Sequence, residues 1–153
     1  MNGHTLNELI EIAEQAARRW LIGGKKAWPP TILLDTPAGL QIVVTELADL
    51  PALRTLIKDR RAVAYCICHE AWAASVRGLD EFRAIDEGRA PNASARPDRF
   101  EVVAVFATDG MSQKSRCLAI RRDASGDCVA LDNESIGEEP ALGRFTTLLD
   151  ARA

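Results

Sequence analysis

Hydrophobic positions along the chain change period several times, and each change marks an element. Leu6, Leu9, Ile10, Ala13, Ala16, Ala17, Trp20 and Leu21 recur at three- and four-residue spacing, which lays one apolar stripe along a helix. Thr5 and Glu8 stand three apart at its start and form a capping box, and Gly23-Gly24 supplies a stop. The spacing predicts a helix over residues 6–22. Pro29-Pro30 then excludes both helix interior and central strand. Thr31 to Asp35 and Leu40 to Thr45 are β-branched runs on either side of Thr36-Pro37-Ala38-Gly39 and predict a hairpin. Leu50 to Arg61 has Pro51 near its start, Leu53, Leu56 and Ile57 on one face, and basic residues at its end. That suits a short helix and its dipole.

The second half of the chain alternates at period two. Ala62 to Ala73 reads as a strand, and residues 75–98 are the least regular part. They hold a helical candidate, Leu79 to Glu87, ended by Gly88, and a polar loop from Pro91 to Pro97. Arg99 to Thr108 is a strong strand followed by an Asp109-Gly110 turn. Lys114 to Arg122 and Cys128 to Asp132 are two more, joined through residues 123–127. Three consecutive strands with short turns predict an antiparallel meander. Ala141 to Leu149 is a candidate for a last helix. There is no internal repeat and no linker long enough for two domains. The expectation is a single α+β domain over residues 1–153, with an antiparallel sheet of five or six strands against the N-terminal helix and a second short helix.

Composition narrows the class without naming a function. A chain of 153 residues, 47% hydrophobic and 27% charged, buries roughly 70% of its unfolded surface and needs neither disulfide nor metal to fold. The formal net charge of -3 makes no general case for nucleic-acid binding. Arginine outnumbers lysine fifteen to four and alanine is abundant, a bias of GC-rich bacterial coding. The first residues lack a basic segment followed by an apolar one, and no run approaches the roughly 18 apolar residues of a membrane span. The expected location is the cytoplasm, with reduced thiols, no membrane and no cofactor.

Chemically capable side chains crowd only between Tyr65 and Trp72, where Cys66, Cys68, His69, Glu70 and Trp72 fall together. Strand alternation divides them. Cys66, Cys68, Glu70 and Trp72 face one way, and Val63, Tyr65, Ile67 and His69 the other. His69 is therefore badly placed to activate either thiol. Cys-x-Cys-His without a second pair is a poor zinc set, Cys117 and Cys128 do not complete it, and side chains two apart on a strand make a poor disulfide. Free core thiols and no metal are expected. His4 is assigned to a frayed end, and there is no phosphate-binding glycine loop or Gly-x-Ser-x-Gly elbow.

What remains is the end of the same strand. If Ala62–Ala73 and Arg99–Thr108 pair antiparallel, Glu70 and Trp72 meet Asp98, Arg99 and Glu101 at one end of the sheet. These five are the candidate binding residues, and no catalytic residue is assigned. The leading expectation is an interaction or accessory protein that works by association, with a homodimer as the simplest partner. One alternative is a small hydrolase using Glu70, Asp98 and Glu101 with a divalent metal. Another is a nucleic-acid-binding accessory protein using Arg18, Arg19, Lys25, Lys26 and Trp28, a basic and aromatic mixture. The segments Cys68 to Trp72 and Pro97 to Val103, with a variable loop between them, resemble small bacterial and phage-borne proteins without an assigned activity. The resemblance covers the middle third and implies no catalytic residue.

Overall fold

The computed structural model describes residues 3–23, 27–45, 49–73, 79–91, 95, 97 and 99–133. Helix α1 (Leu6–Leu21) opens on Thr5, whose hydroxyl accepts from the Glu8 amide while Glu8 accepts from the Thr5 amide. His4 is not frayed: its amide donates to Asp35 Oδ2 at 2.8 Å, and Asp35 is buried in the first strand. The start of α1 is thereby tied to the sheet.

Six strands form one curled antiparallel sheet in the order β2-β1-β3-β4-β5-β6. They are β1 (Thr31–Thr36), β2 (Gly39–Val44), β3 (Ala64–Ala73), β4 (Phe100–Thr108), β5 (Gln113–Arg122) and β6 (Cys128–Asn133). The expected hairpin is β1–β2 and the expected meander is β4–β5–β6. Helix α3 (Leu79–Asp86) lies between β3 and β4 in the chain, and Gly88 beyond it adopts φ 76°. The helix expected over residues 141–149 lies outside the described residues.

Helix α2 (Leu50–Asp59) begins on Asp49, whose carboxylate accepts from the Ala52 amide, and ends two residues before the expected Arg61. Arg61 has left-handed backbone, φ 55°, and the Ala62 amide closes back onto the Ile57 carbonyl at 3.1 Å. That closure satisfies a terminal carbonyl and turns the chain early. The following strand consequently starts at Ala64 instead of Ala62.

The sheet separates two cores. On one face Leu9, Ile10, Ala13, Ala17 and Leu21 of α1 meet Cys66, Cys68, Val103, Val105, Leu118, Ile120 and Leu131. On the other, Leu53 and Ile57 of α2 meet Ile32, Leu34, Tyr65 and Ile67. The alternation along β3 is the predicted one. β1 has every residue buried because it serves both faces. Helix α1 lies over β3 to β6 and leaves the β2 side of its face uncovered.

Candidate functional site

β3 and β4 pair as required, and the register places Trp72 opposite Glu101 and Glu70 opposite Val103. Glu70, Trp72 and Glu101 therefore share the α1 face of the sheet at its open end. With Ala71 and Ile120 they line a cleft of about 190 Å³. Arg99 stacks its guanidinium over the Trp72 ring, 4.6 Å from the centroid. Four of the five expected residues thus come together. Asp98 lies outside the described residues.

Each charged group at the cleft already has a partner. Glu70 Oε1 accepts from the Trp28 amide at 3.0 Å, and the Trp28 indole donates to the Cys68 carbonyl at 3.2 Å. Glu101 Oε2 accepts from Arg122 Nε at 2.7 Å, and Arg122 Nη1 donates to the Gly126 carbonyl at 2.9 Å. The Glu101 hydrogen bond raises the Arg122 pKa, so this cation holds its proton. Cys128 sits opposite Arg122. Burial pushes its thiol pKa up more than the backbone hydrogen bond of Ala130 and the Arg122 charge pull it down. A thiol kept protonated is a poor nucleophile. Among the described residues no buried side-chain nitrogen or oxygen lacks a hydrogen-bond partner. Nor do three His, Cys, Asp or Glu side chains gather to hold a metal ion. The cleft can accept a small polar group against Trp72, but its strongest electrostatics are directed inward.

Arg122, Ile120 and Trp28 escaped the sequence reading of this cleft. An Asp109-Gly110 turn with the next strand from Lys114 leaves the pairing register open; counted from a two-residue turn it would set Ile120 opposite Arg99. Thr108 in fact pairs with Gln113, so residues 109–112 form the loop and the same counting brings Arg122 beside Arg99. Asp109 explains the longer loop: its carboxylate accepts from the amides of Met111 and Ser112 at 2.8 and 2.7 Å.

The other expected residues are placed as follows. His69 lies on the strand face opposite the thiols, with Nδ1 2.9 Å from the Glu70 carbonyl. All four cysteines are buried, and none forms a disulfide. Arg18 is held by Glu14 Oε2 at 2.9 Å and by the Leu131 carbonyl at 2.8 Å. Trp28 is only 8% exposed and offers no stacking surface, while Trp20 packs edge-on against it at 6.1 Å. Lys25 and Lys26 lie outside the described residues.

A second surface lies at the free edge of β2. The Thr45 amide donates to the Pro30 carbonyl at 3.0 Å, and this single bond fixes the parity of the hairpin. In an antiparallel ladder, hydrogen-bonded pairs alternate with unbonded ones. Gly39, Gln41 and Val43 therefore direct their backbone groups inward to β1. Leu40, Ile42 and Val44 direct theirs outward, where nothing among the described residues pairs with them. The side chains of those three lie on the α1 face, where Leu40 packs against the rim of the α1 core. Leu40 is partly buried, whereas Ile42 and Val44 are 58% and 65% exposed. At Ile42 and Val44 an exposed apolar side chain and backbone groups left unpaired among the described residues belong to the same residue.

Fold and surfaces together define an α+β protein with one curled antiparallel sheet, a self-satisfied cleft at one end and, among the described residues, an unpaired outer strand at one edge. Comparison with protein families, curated proteins and solved structures returns no match to this chain.

Proposed function

We propose that this protein works by association and that its working surface is the outer edge of β2, which accepts an extended partner as an added strand. The observation that carries the reading is the run of outward backbone groups at Leu40, Ile42 and Val44 with the apolar side chains of Ile42 and Val44 left exposed. Main-chain bonds supply affinity in such docking, and alternate side chains supply specificity. Four buried cysteines outside any disulfide favour a reducing compartment, so the cytoplasm is the proposed location, and the arginine-rich composition favours a bacterial or phage source. A hydrolase centred on Glu70 and Glu101 ranks second, since both carboxylates are engaged by the protein itself.

Amide hydrogen exchange tests the reading. The probe is a capped peptide with the β2 sequence, Gly-Leu-Gln-Ile-Val-Val, flanked by lysines for solubility. The amides of Leu40, Ile42 and Val44 should slow as peptide or protein concentration rises. Exchange at the rate of unstructured chain under both conditions would remove the reading.

A further inference from the structure

The two edges of the sheet are built differently. At the β6 edge, Asp132 is tied to Arg121 at 2.8 Å, Asn133 follows it, and the β5–β6 ladder shifts register between Arg121 and Arg122. Charge and irregularity of this kind blunt an edge against pairing. β2 reads Gly39-Leu40-Gln41-Ile42-Val43-Val44, with no charge, no proline and an unbroken register. A neutral strand can face a copy of itself without the repulsion that like charges impose across a ladder. A self-paired β6 would bring Asp132 towards its own image.

Resting on the strand-docking reading above, we propose that the partner of β2 is β2 of a second copy of this chain, paired antiparallel about a two-fold axis through Ile42. Only outward-facing residues can exchange hydrogen bonds across the new ladder, so Leu40, Ile42 and Val44 must pair among themselves. One register satisfies all three at once. It sets Ile42 against Ile42 of the second copy, Leu40 against Val44 and Val44 against Leu40. Each such pair exchanges two bonds, about six in total. The next registers that keep outward residues opposite each other lie two residues away; one sets Val44 against Ala38 in the hairpin turn, and the other sets Leu40 against position 46, beyond the end of β2.

The axis stands perpendicular to the sheet, so both copies present the same face on the same side. Leu40, Ile42 and Val44 of the two chains then make one apolar strip along the joined sheets, flanked by the two α1 helices. The strip covers the two side chains that a lone copy leaves most exposed on this strand. The interface is isologous and closes at two copies. A six-residue strand gives an interface at the small end of the specific range, so the dimer is concentration-dependent.

Sedimentation equilibrium of the full chain over a concentration series, combined with disulfide trapping, tests this. Gln41 and Val43 form the unbonded pairs of the proposed ladder, the closer kind, so Gln41→Cys/Val43→Cys should give a covalent dimer on mild oxidation. Two cysteines of one chain, two apart on a strand, cannot bridge each other, and the four native thiols are buried. Neither single variant should cross-link, because its cysteines are diagonal to each other. Ile42→Lys sets two ammonium groups on the axis and should weaken the dimer at least about tenfold. Its far-UV spectrum should stay unchanged, because position 42 is exposed. A monomer at every concentration overturns the proposal, as does a dimer indifferent to Ile42→Lys; peptide-dependent exchange at β2 then judges strand docking separately. A dimer that Ile42→Lys breaks but that cross-links through Gln41→Cys alone overturns the axis at Ile42 while leaving strand docking intact.

Discussion

Glu14 is the one carboxylate in the buried stripe of α1, and its replacement offers a quantitative test of how that helix is fastened. Its Oε1 accepts from Arg116 at 2.6 Å and its Oε2 from Arg18 at 2.9 Å, so it joins α1 to β5 and to its own last turn. Glu14→Gln keeps the shape, removes the charge and turns an amide donor toward one guanidinium. Two charge-assisted bonds at about 1.5–3 kcal/mol each set an upper bound. Water reaches both arginine side chains, which are 24% and 30% exposed, and each keeps a second acceptor, Glu11 for Arg116 and the Leu131 carbonyl for Arg18. Between the exposed and buried limits for ion pairs, the loss should be about 2 kcal/mol at neutral pH. For a chain of this size that lowers Tm by about 4–8 °C.

The pH dependence sharpens this test. Burial pushes the Glu14 carboxyl up, but the hydrogen bonds from Arg116 and Arg18 outweigh it, and the net pKa is below the ordinary 4.5. A depressed folded-state pKa contributes stability above the unfolded value and loses it as pH falls through the folded one. Urea unfolding of both proteins, from pH 7 down to the lowest pH at which the wild type stays folded, should show the gap narrowing below about pH 4.5. A gap under about 0.5 kcal/mol at pH 7, or one that does not change with pH, would refute the argument.

Two further outcomes follow from the cores. Leu118 is fully buried beneath α1, so Leu118→Ala should cost about 2–5 kcal/mol in urea unfolding, with the slope unchanged. Burial pushes the Cys68 thiol up to about 12 and the Cys66 thiol well above its ordinary 9.0. Both should resist a thiol-specific reagent in the native state and react on unfolding, and rapid native labelling would contradict their placement. With folded values raised, their contribution is complete below the unfolded thiol pKa and lost as pH rises through the folded values. Stability should therefore fall above about pH 9.

Features encoded by local spacing were legible in the sequence. The capping box at Thr5 and Glu8, the β1–β2 hairpin, and the division of β3 into a thiol face and a histidine face all follow from period and turn chemistry. So did the meeting of Glu70 and Trp72 with Arg99 and Glu101, since it needs only one antiparallel pairing. What escaped depends on register or on distant partners. Arg122 joins the cleft because Asp109 organises a four-residue loop. His4 is ordered by Asp35, thirty-one residues away. The exposure of Ile42 and Val44 follows from β1 standing between β2 and β3, an order that strand spacing does not encode.

The seat of α1 carries a consequence for how the protein is made. The helix is the first element in the chain, yet its apolar stripe rests on β3 to β6, none of which begins before residue 64. As the chain leaves the ribosome, α1 can wind up but has nothing to lie on until β3 and β4 have emerged, and its seat is complete only with β6. At ordinary synthesis rates that wait is on the order of ten seconds. During it, Leu9, Ile10, Ala13, Ala17 and Leu21 stay uncovered together on a helix whose final neighbours do not yet exist.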